Sequence, residues 1–171
     1  DEPHWAPGTV WLEASTLWEP LVDIGRSVAA TPARTLVFVN GHGGNSALLQ
    51  VANRELRRRF GLRVFSMGSG IQRAGDGKEG PDELGMGIHA GHSETSVMLA
   101  LRPELVDMPQ AVRNVPAHIA YYETIGFNGD PVSFGWTSDD FGPSGVIGDP
   151  TEADAAYGAR LVSEGVTFVA K

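Results

Sequence analysis

Apolar residues recur at helical spacing from Ser15 onward: Leu17, Trp18, Leu21, Val22, Ile24, Val28 and Ala29 share one side of a predicted helix. Ser15 or Thr16 can cap its start, and Thr31-Pro32 stops it. Ahead of it, Gly8 to Ala14 (GTVWLEA) follows a Pro-Gly turn signal and reads as a short β-prone segment. Thr35 to Asn40 (TLVFVN) is an unbroken apolar run of strand length, the pattern of a parallel strand buried on both faces. A second helix is expected from Asn45 or Ser46. Leu48, Leu49, Val51, Ala52, Leu56 and Phe60 make its inner face, and Arg54, Arg57, Arg58 and Arg59 lie mostly outside. Gly61 ends it, and Leu62 to Met67 (LRVFSM) is the next strand. Strand, helix and strand in this order make a βαβ unit.

The pattern weakens downstream. Gly68 to Gly87 is rich in Gly, Asp, Glu and Lys and reads as a surface loop. A helix is expected from His92 or Ser93 to Leu101, stopped by Arg102-Pro103. Residues 104–150 are punctuated by Pro and Gly and read as irregular. Asp149-Pro150 leads into a last helix near Thr151, and the tail GVTFVAK is β-prone while also admitting helix.

Composition narrows the function classes. The 171 residues fit one ordinary domain. Lys and Arg number 13 against 21 Asp and Glu, a formal charge of −8, which argues against general nucleic-acid binding and against docking on an anionic membrane. There is no cysteine, so any metal must be held by His, Asp or Glu. No apolar run is long enough to span a bilayer and no leader pattern opens the chain, so a cytoplasmic location is the expectation.

Two stretches carry candidate chemistry. The first is Gly41-His42-Gly43-Gly44-Asn45, just past the carboxyl end of a predicted strand, where open α/β sheets place ligands. The glycines can take unusual backbone angles and admit a ligand or metal, and the following helix start favours anions. A plain glycine-rich turn with an incidental histidine reads equally well. The second is His89-Ala90-Gly91-His92-Ser93-Glu94, two imidazoles and a carboxylate at a loop-to-helix junction. Imidazole with carboxylate suits Zn²⁺ or Mn²⁺, and a spare histidine suits proton transfer. Here too a plainer reading stands, with Glu94 as a capping residue of the first helical turn. Trp136 in FGWTSDDFG is a candidate pocket wall, with a solvated loop as the alternative.

NGHGGN followed by HAGHSETS resembles the creatininase family of metal-dependent amide hydrolases, and Pro7 to Thr9 with SGVIGDPTEAD (Ser144 to Asp154) fits it too. The resemblance implies a three-layer α/β/α sandwich around a mostly parallel sheet. It implies two divalent ions, Zn²⁺, Mn²⁺ or Fe²⁺, sharing a hydroxide. It also implies a small-molecule amide or peptide substrate and a homo-oligomer, often a hexamer. Carried over, His42 and Glu94 become metal ligands, His89 a catalytic proton donor beside the substrate, and Gly41 and Gly43 pocket-shaping residues. Gly44 stands where creatininase itself carries a carboxylate.

The family's Glu, His and Asp in its amino-terminal motif have no counterpart here, and Pro3 and His4 depart from its Glu-His pair. The expectation is therefore a single creatininase-like domain over 1–171, trimmed at its start and its end, metal-poor as it stands. A non-catalytic scaffold of the same fold and an anion- or nucleotide-binding loop at the start of the second helix are the competing classes.

Overall fold

The computed structural model describes residues 7–71, 79–126 and 131–171. The Glu2 to His4 stretch and part of the glycine-rich loop lie outside them. The chain divides into two compact units, Asp1–Gly70 and Ile71–Lys171.

In the first unit, α1 (Ala14–Ala29), β1 (Thr35–Asn40), α2 (Ser46–Phe60) and β2 (Arg63–Gly68) follow the predicted order. The strands pair in parallel, with Val37 opposite Phe65 and Val39 opposite Met67. Leu21, Leu49 and Ala52 form the core, and Phe38 of β1 packs against it with Leu17, Trp18 and Leu48. Gly61 closes α2 in the left-handed region, φ 67°, and its N–H donates to the Arg57 carbonyl. On the outer face of α2, Arg58 and Arg59 both reach Glu55, and Arg59 also lies over the Trp18 ring. The Arg58 hydrogen bond is the chief reason the Glu55 carboxyl is held down to about 2.

Four expectations fail in this unit. Gly8 to Ala14 is no strand: residues 9–13 are irregular and Val10 is fully open to solvent, because no neighbouring strand takes up its backbone groups. Helix α1 starts at Ala14 after Glu13 rather than at Ser15 or Thr16. Ile24 and Val51 are exposed, because the buried stripes of α1 and α2 are narrower than the apolar ones. The strand is covered on one face only. Val37 and Val39 are 47% and 53% exposed and Phe65 is 54% exposed, since the core that receives Phe38 lies on the opposite face of the pleat.

The second unit is built around α3 (His92–Leu101) and α5 (Ala155–Val169), with a one-turn helix α4 (Ala117–Ala120). Its apolar cluster is Met86, Ile119, Phe141 and Ile147. Three isolated bridges order the irregular stretch, including His89 with Ile147 and Asn114 with Gly148. Asp149 caps the short turn at Pro150 by accepting from Thr151, as its position before a proline implies. Helix α5 starts later than Thr151, at Ala155. There Asp154 accepts the Tyr157 N–H at 2.8 Å while its own N–H donates to the buried Ser96 hydroxyl at 3.0 Å. The tail remains helical to Val169, so its β-propensity is overridden by the buried Gly165 and Leu161 one and two turns earlier. Among the described residues no helix is long and apolar enough to cross a membrane.

Candidate functional site

Asn40 organises the NGHGGN turn. Its side-chain carbonyl accepts the His42 N–H at 3.2 Å and an Asn45 side-chain N–H at 3.4 Å, and its amide donates to the Ser46 hydroxyl at 3.2 Å. These bonds tie the end of β1 to the start of α2. Beside them, at the carboxyl ends of both strands, lies a recess of about 220 Å³ walled by Asn40, Ser46, Gln50, Ser66 and Gly68. His42 is exposed and extended, and Gly43 to Asn45 form a short 3-10 turn. Gly41, Gly43 and Gly44 are absent from the positive-φ glycines, and a Cβ at Gly41 would meet nothing. Their expected unusual angles are thus not seen, because a 3-10 turn needs only ordinary right-handed geometry.

His89 and Glu94 come together in the second unit. Both line a recess of about 350 Å³ with Thr95, Met98, Leu105 and Asp107. His89 is anchored through its main chain: its N–H donates to the Ile147 carbonyl at 3.1 Å and its carbonyl accepts the Ile147 N–H at 2.8 Å. The imidazole itself is left to the recess. Ala90 follows in the left-handed region with φ 52°, a conformation costing an L-residue about 1–2 kcal/mol. Two side chains hold it there. Glu94 Oε2 accepts the Ala90 N–H at 2.7 Å, and the Thr95 hydroxyl donates to the Ala90 carbonyl at 3.2 Å. Backbone strain held beside a recess is a feature of functional turns. Glu94, in the first turn of α3, thus ties down the turn ahead of the helix through one of its two oxygens.

Trp136 packs edge-on against Phe141, ring centres 5.3 Å apart, beside the apolar cluster. Asp140 accepts the Thr137 N–H at 2.8 Å in a capping box. His118, Tyr121 and Tyr122 are exposed on and after the one-turn helix α4.

Sequence reasoning missed Glu83 and Arg113, and the long-range partners of His92 and Asp149. Glu83 is 1% exposed, and His92 is buried with its ring 4.9 Å from that of Tyr157. Arg113 bonds the Asp149 carboxylate and donates to the Asp82 carbonyl at 2.9 Å. Burial pushes the Asp149 carboxyl up, but hydrogen bonds from Thr151 and Arg113 outweigh it and hold the group below its ordinary range. A depressed carboxyl adds stability that is present above its unfolded value, near 4, and is lost as pH falls through the lower folded one. Urea midpoints measured from pH 7 downward should therefore fall more steeply below about pH 4 in the native chain than in Asp149→Asn. The effect is modest, because Arg113 is half-exposed and screened. Parallel acid limbs in the two proteins would contradict the assignment.

The resemblance implies metal ions, and the donors can be tested against it. Imidazole and carboxylate oxygen are the right atoms for Zn²⁺ or Mn²⁺. The count is not right: among the described residues no three His, Asp or Glu side chains gather around one point, and Glu94 already spends one oxygen on Ala90. A zinc site takes three or four protein ligands. The described residues do not make a metal centre by themselves.

Comparison with known proteins gives a consistent picture. The family model for creatininase, creatinine amidohydrolase, matches residues 1–171. The chain is similar to the mycofactocin precursor peptide peptidase of Mycobacterium ulcerans (strain Agy99), 36% identical over 92% of this chain and 54% of that protein. It is also similar to the creatinine amidohydrolase of Pseudomonas putida, 38% identical over 68% of this chain and 49% of that protein. The chain spans about half the length of these curated relatives. Among solved structures, a point mutant of creatininase superposes with a TM-score of 0.68 at 28% identity, covering 96% of this chain and 65% of that one. A further creatininase mutant, of the Zn–Zn type, superposes with a TM-score of 0.64 at 28% identity, over 96% of this chain and 65% of that one. The α/β fold is thus the creatininase fold.

Proposed function

The chain belongs to the creatininase family, and on that footing we propose that its protein hydrolyses a C–N amide bond in a small cyclic amide or a peptide. The observation that supports this most is the shared recess of His89 and Glu94 at the start of α3, with its strained turn and its main-chain anchor. His89 has the role of proton carrier: an imidazole nitrogen can protonate the departing amide nitrogen as the C–N bond breaks. Glu94 and Thr95 hold the Ala90 turn, so the imidazole is offered from a fixed backbone. Met98 and Leu105 give the recess an apolar side, open to solvent, against which a substrate's apolar part can pack.

Metal dependence is part of the proposal and rests on the family. One solved relative is of the Zn–Zn type. Such ions would polarise the carbonyl and supply a nucleophile. By the family resemblance His42, in the first unit, and Glu94, in the second, are each proposed as metal ligands, and neither gathers two further His, Asp or Glu among the described residues. Gly41, Gly43 and Trp136 are proposed only as walls of the substrate site.

The donor count favours one second reading, a scaffold subunit of this fold without catalysis. A single assay separates the two. The purified protein, preincubated with Zn²⁺ or Mn²⁺, is offered creatinine and short peptide amides while new primary amine or ring opening is followed. Turnover suppressed by a chelator supports the hydrolase. Absence of turnover on every amide, with folded protein, supports the scaffold.

A further inference from the structure

Glu83 lies in a stretch dense with charge and glycine, yet it is 1% exposed. One of its oxygens, Oε1, accepts two backbone N–H groups, from His92 at 3.0 Å and from Asp149 at 2.6 Å. These donors are far apart in sequence, and each lies just past one half of the His89–Ile147 bridge. His92 is three residues beyond His89, and Asp149 is two beyond Ile147.

Space is cleared for the carboxylate from three sides. A Cβ at Gly87 would stand 2.3 Å from Oε2, and one at Gly91 or Gly148 would stand 2.5 or 2.6 Å from Oε1. Gly148 also has φ +149°, which an L side chain rarely adopts. A solvated surface acid needs none of this. Two N–H donors converging on one carboxylate oxygen make a strong, directional fastening. What the fastening encloses is the turn His89-Ala90-Gly91, whose middle residue is strained.

We propose that Glu83 is a positioning residue for His89: its buried carboxylate clamps the two segments that carry the His89–Ile147 bridge and so fixes the imidazole in the recess. This rests on the amide-hydrolase reading for its catalytic consequence, but its structural core does not. Glu83 touches no reacting atom. It acts by holding the main chain on both sides of the bridge, which leaves the His89 side chain free to work.

The test pairs amide hydrogen exchange with kinetics in the purified protein. Glu83→Leu removes the oxygen that accepts both N–H groups, and Gly87→Ala leaves Glu83 in place but pushes its carboxylate aside. In each, exchange at the His89 and Ile147 N–H groups should quicken by about tenfold or more, while Leu161 in α5 keeps its protection. The kcat should fall by about 100-fold with KM little changed, as expected for a misplaced proton carrier. Glu83→Gln keeps one acceptor oxygen and should restore most of both.

Should Glu83→Leu fail to fold, Gly87→Ala decides, because it displaces only the movable end of a side chain. Unchanged exchange at His89 and Ile147 in these variants would overturn the proposal. So would a uniform loss of protection across α3 and α5 with kcat per folded molecule intact, which is a structural role alone. If the wild-type protein cleaves no amide, the hydrolase reading fails, and the exchange data still decide whether Glu83 holds His89.

Discussion

Gly158→Ala is expected to destabilise the second unit strongly. Gly158 sits on α5 where it crosses α3, and a Cβ there would lie 1.9 Å from the Ser96 carbonyl oxygen, 2.3 Å from its carbon and 2.7 Å from the Val97 nitrogen. All three are backbone atoms of a helix, so no side chain can swing away. The helices must separate, and Ser96, which is fully buried and accepts the Asp154 N–H, moves with them. Overpacking of this kind costs about 3 kcal/mol or more, at the upper end of the usual range. Alanine returns only about 1 kcal/mol through its higher helix propensity. The collision wins, for a net loss of roughly 2 kcal/mol or more. The midpoint of urea unfolding, followed by circular dichroism, reads this directly. A variant as stable as the native chain would show that α3 and α5 do not cross at Gly158.

The second large effect is on chemistry. His89→Ala should lower kcat by about 10²–10⁴-fold, the usual contribution of a general acid–base group. Stability should change little, for a specific reason. His89 holds the fold through its main-chain N–H and carbonyl, both bonded to Ile147, and these survive the truncation. The imidazole only lines the recess. Steady-state kinetics beside an unfolding curve separates the two effects. A kcat within a few-fold of wild type would remove His89 from the mechanism.

The legible part of the fold was the part with a period. Leu49, Ala52 and Leu56 fall on the buried stripe of α2, and Thr35–Asn40 has strand length, so β1, α2 and β2 follow from local pattern alone. Helix α3 was legible from its Arg102-Pro103 stop. The tail was ambiguous because Val166, Thr167, Phe168 and Val169 favour strands singly, and only packing of the preceding turns makes them helical. Burial of the strands was misjudged for a related reason. An apolar run shows what can be buried, whereas Val37 and Phe65 show that cover depends on what lies against each face.

The candidate site divides the same way. His89 and Glu94 share a recess because they sit five residues apart around one helix start, a local relation that the sequence displays. Glu83 is different. Its partners are at His92 and, 66 residues on, at Asp149, so its role rests on long-range contacts that no local pattern carries. The one local hint is glycine on either side, at Gly80, Gly85, Gly87 and Gly91. Arg113 and Asp149 are likewise joined across 36 residues.

Amide hydrolysis at the His89 recess is the proposed activity. Its most direct test is mass spectrometry of products formed in ¹⁸O-labelled water from creatinine and short peptides. One solvent oxygen is expected in the new carboxylate, with a freed amine from a peptide or a ring-opened guanidino acid from creatinine, and loss of these products in His89→Ala. Unchanged substrates, or labelled product at full rate from His89→Ala, would contradict it.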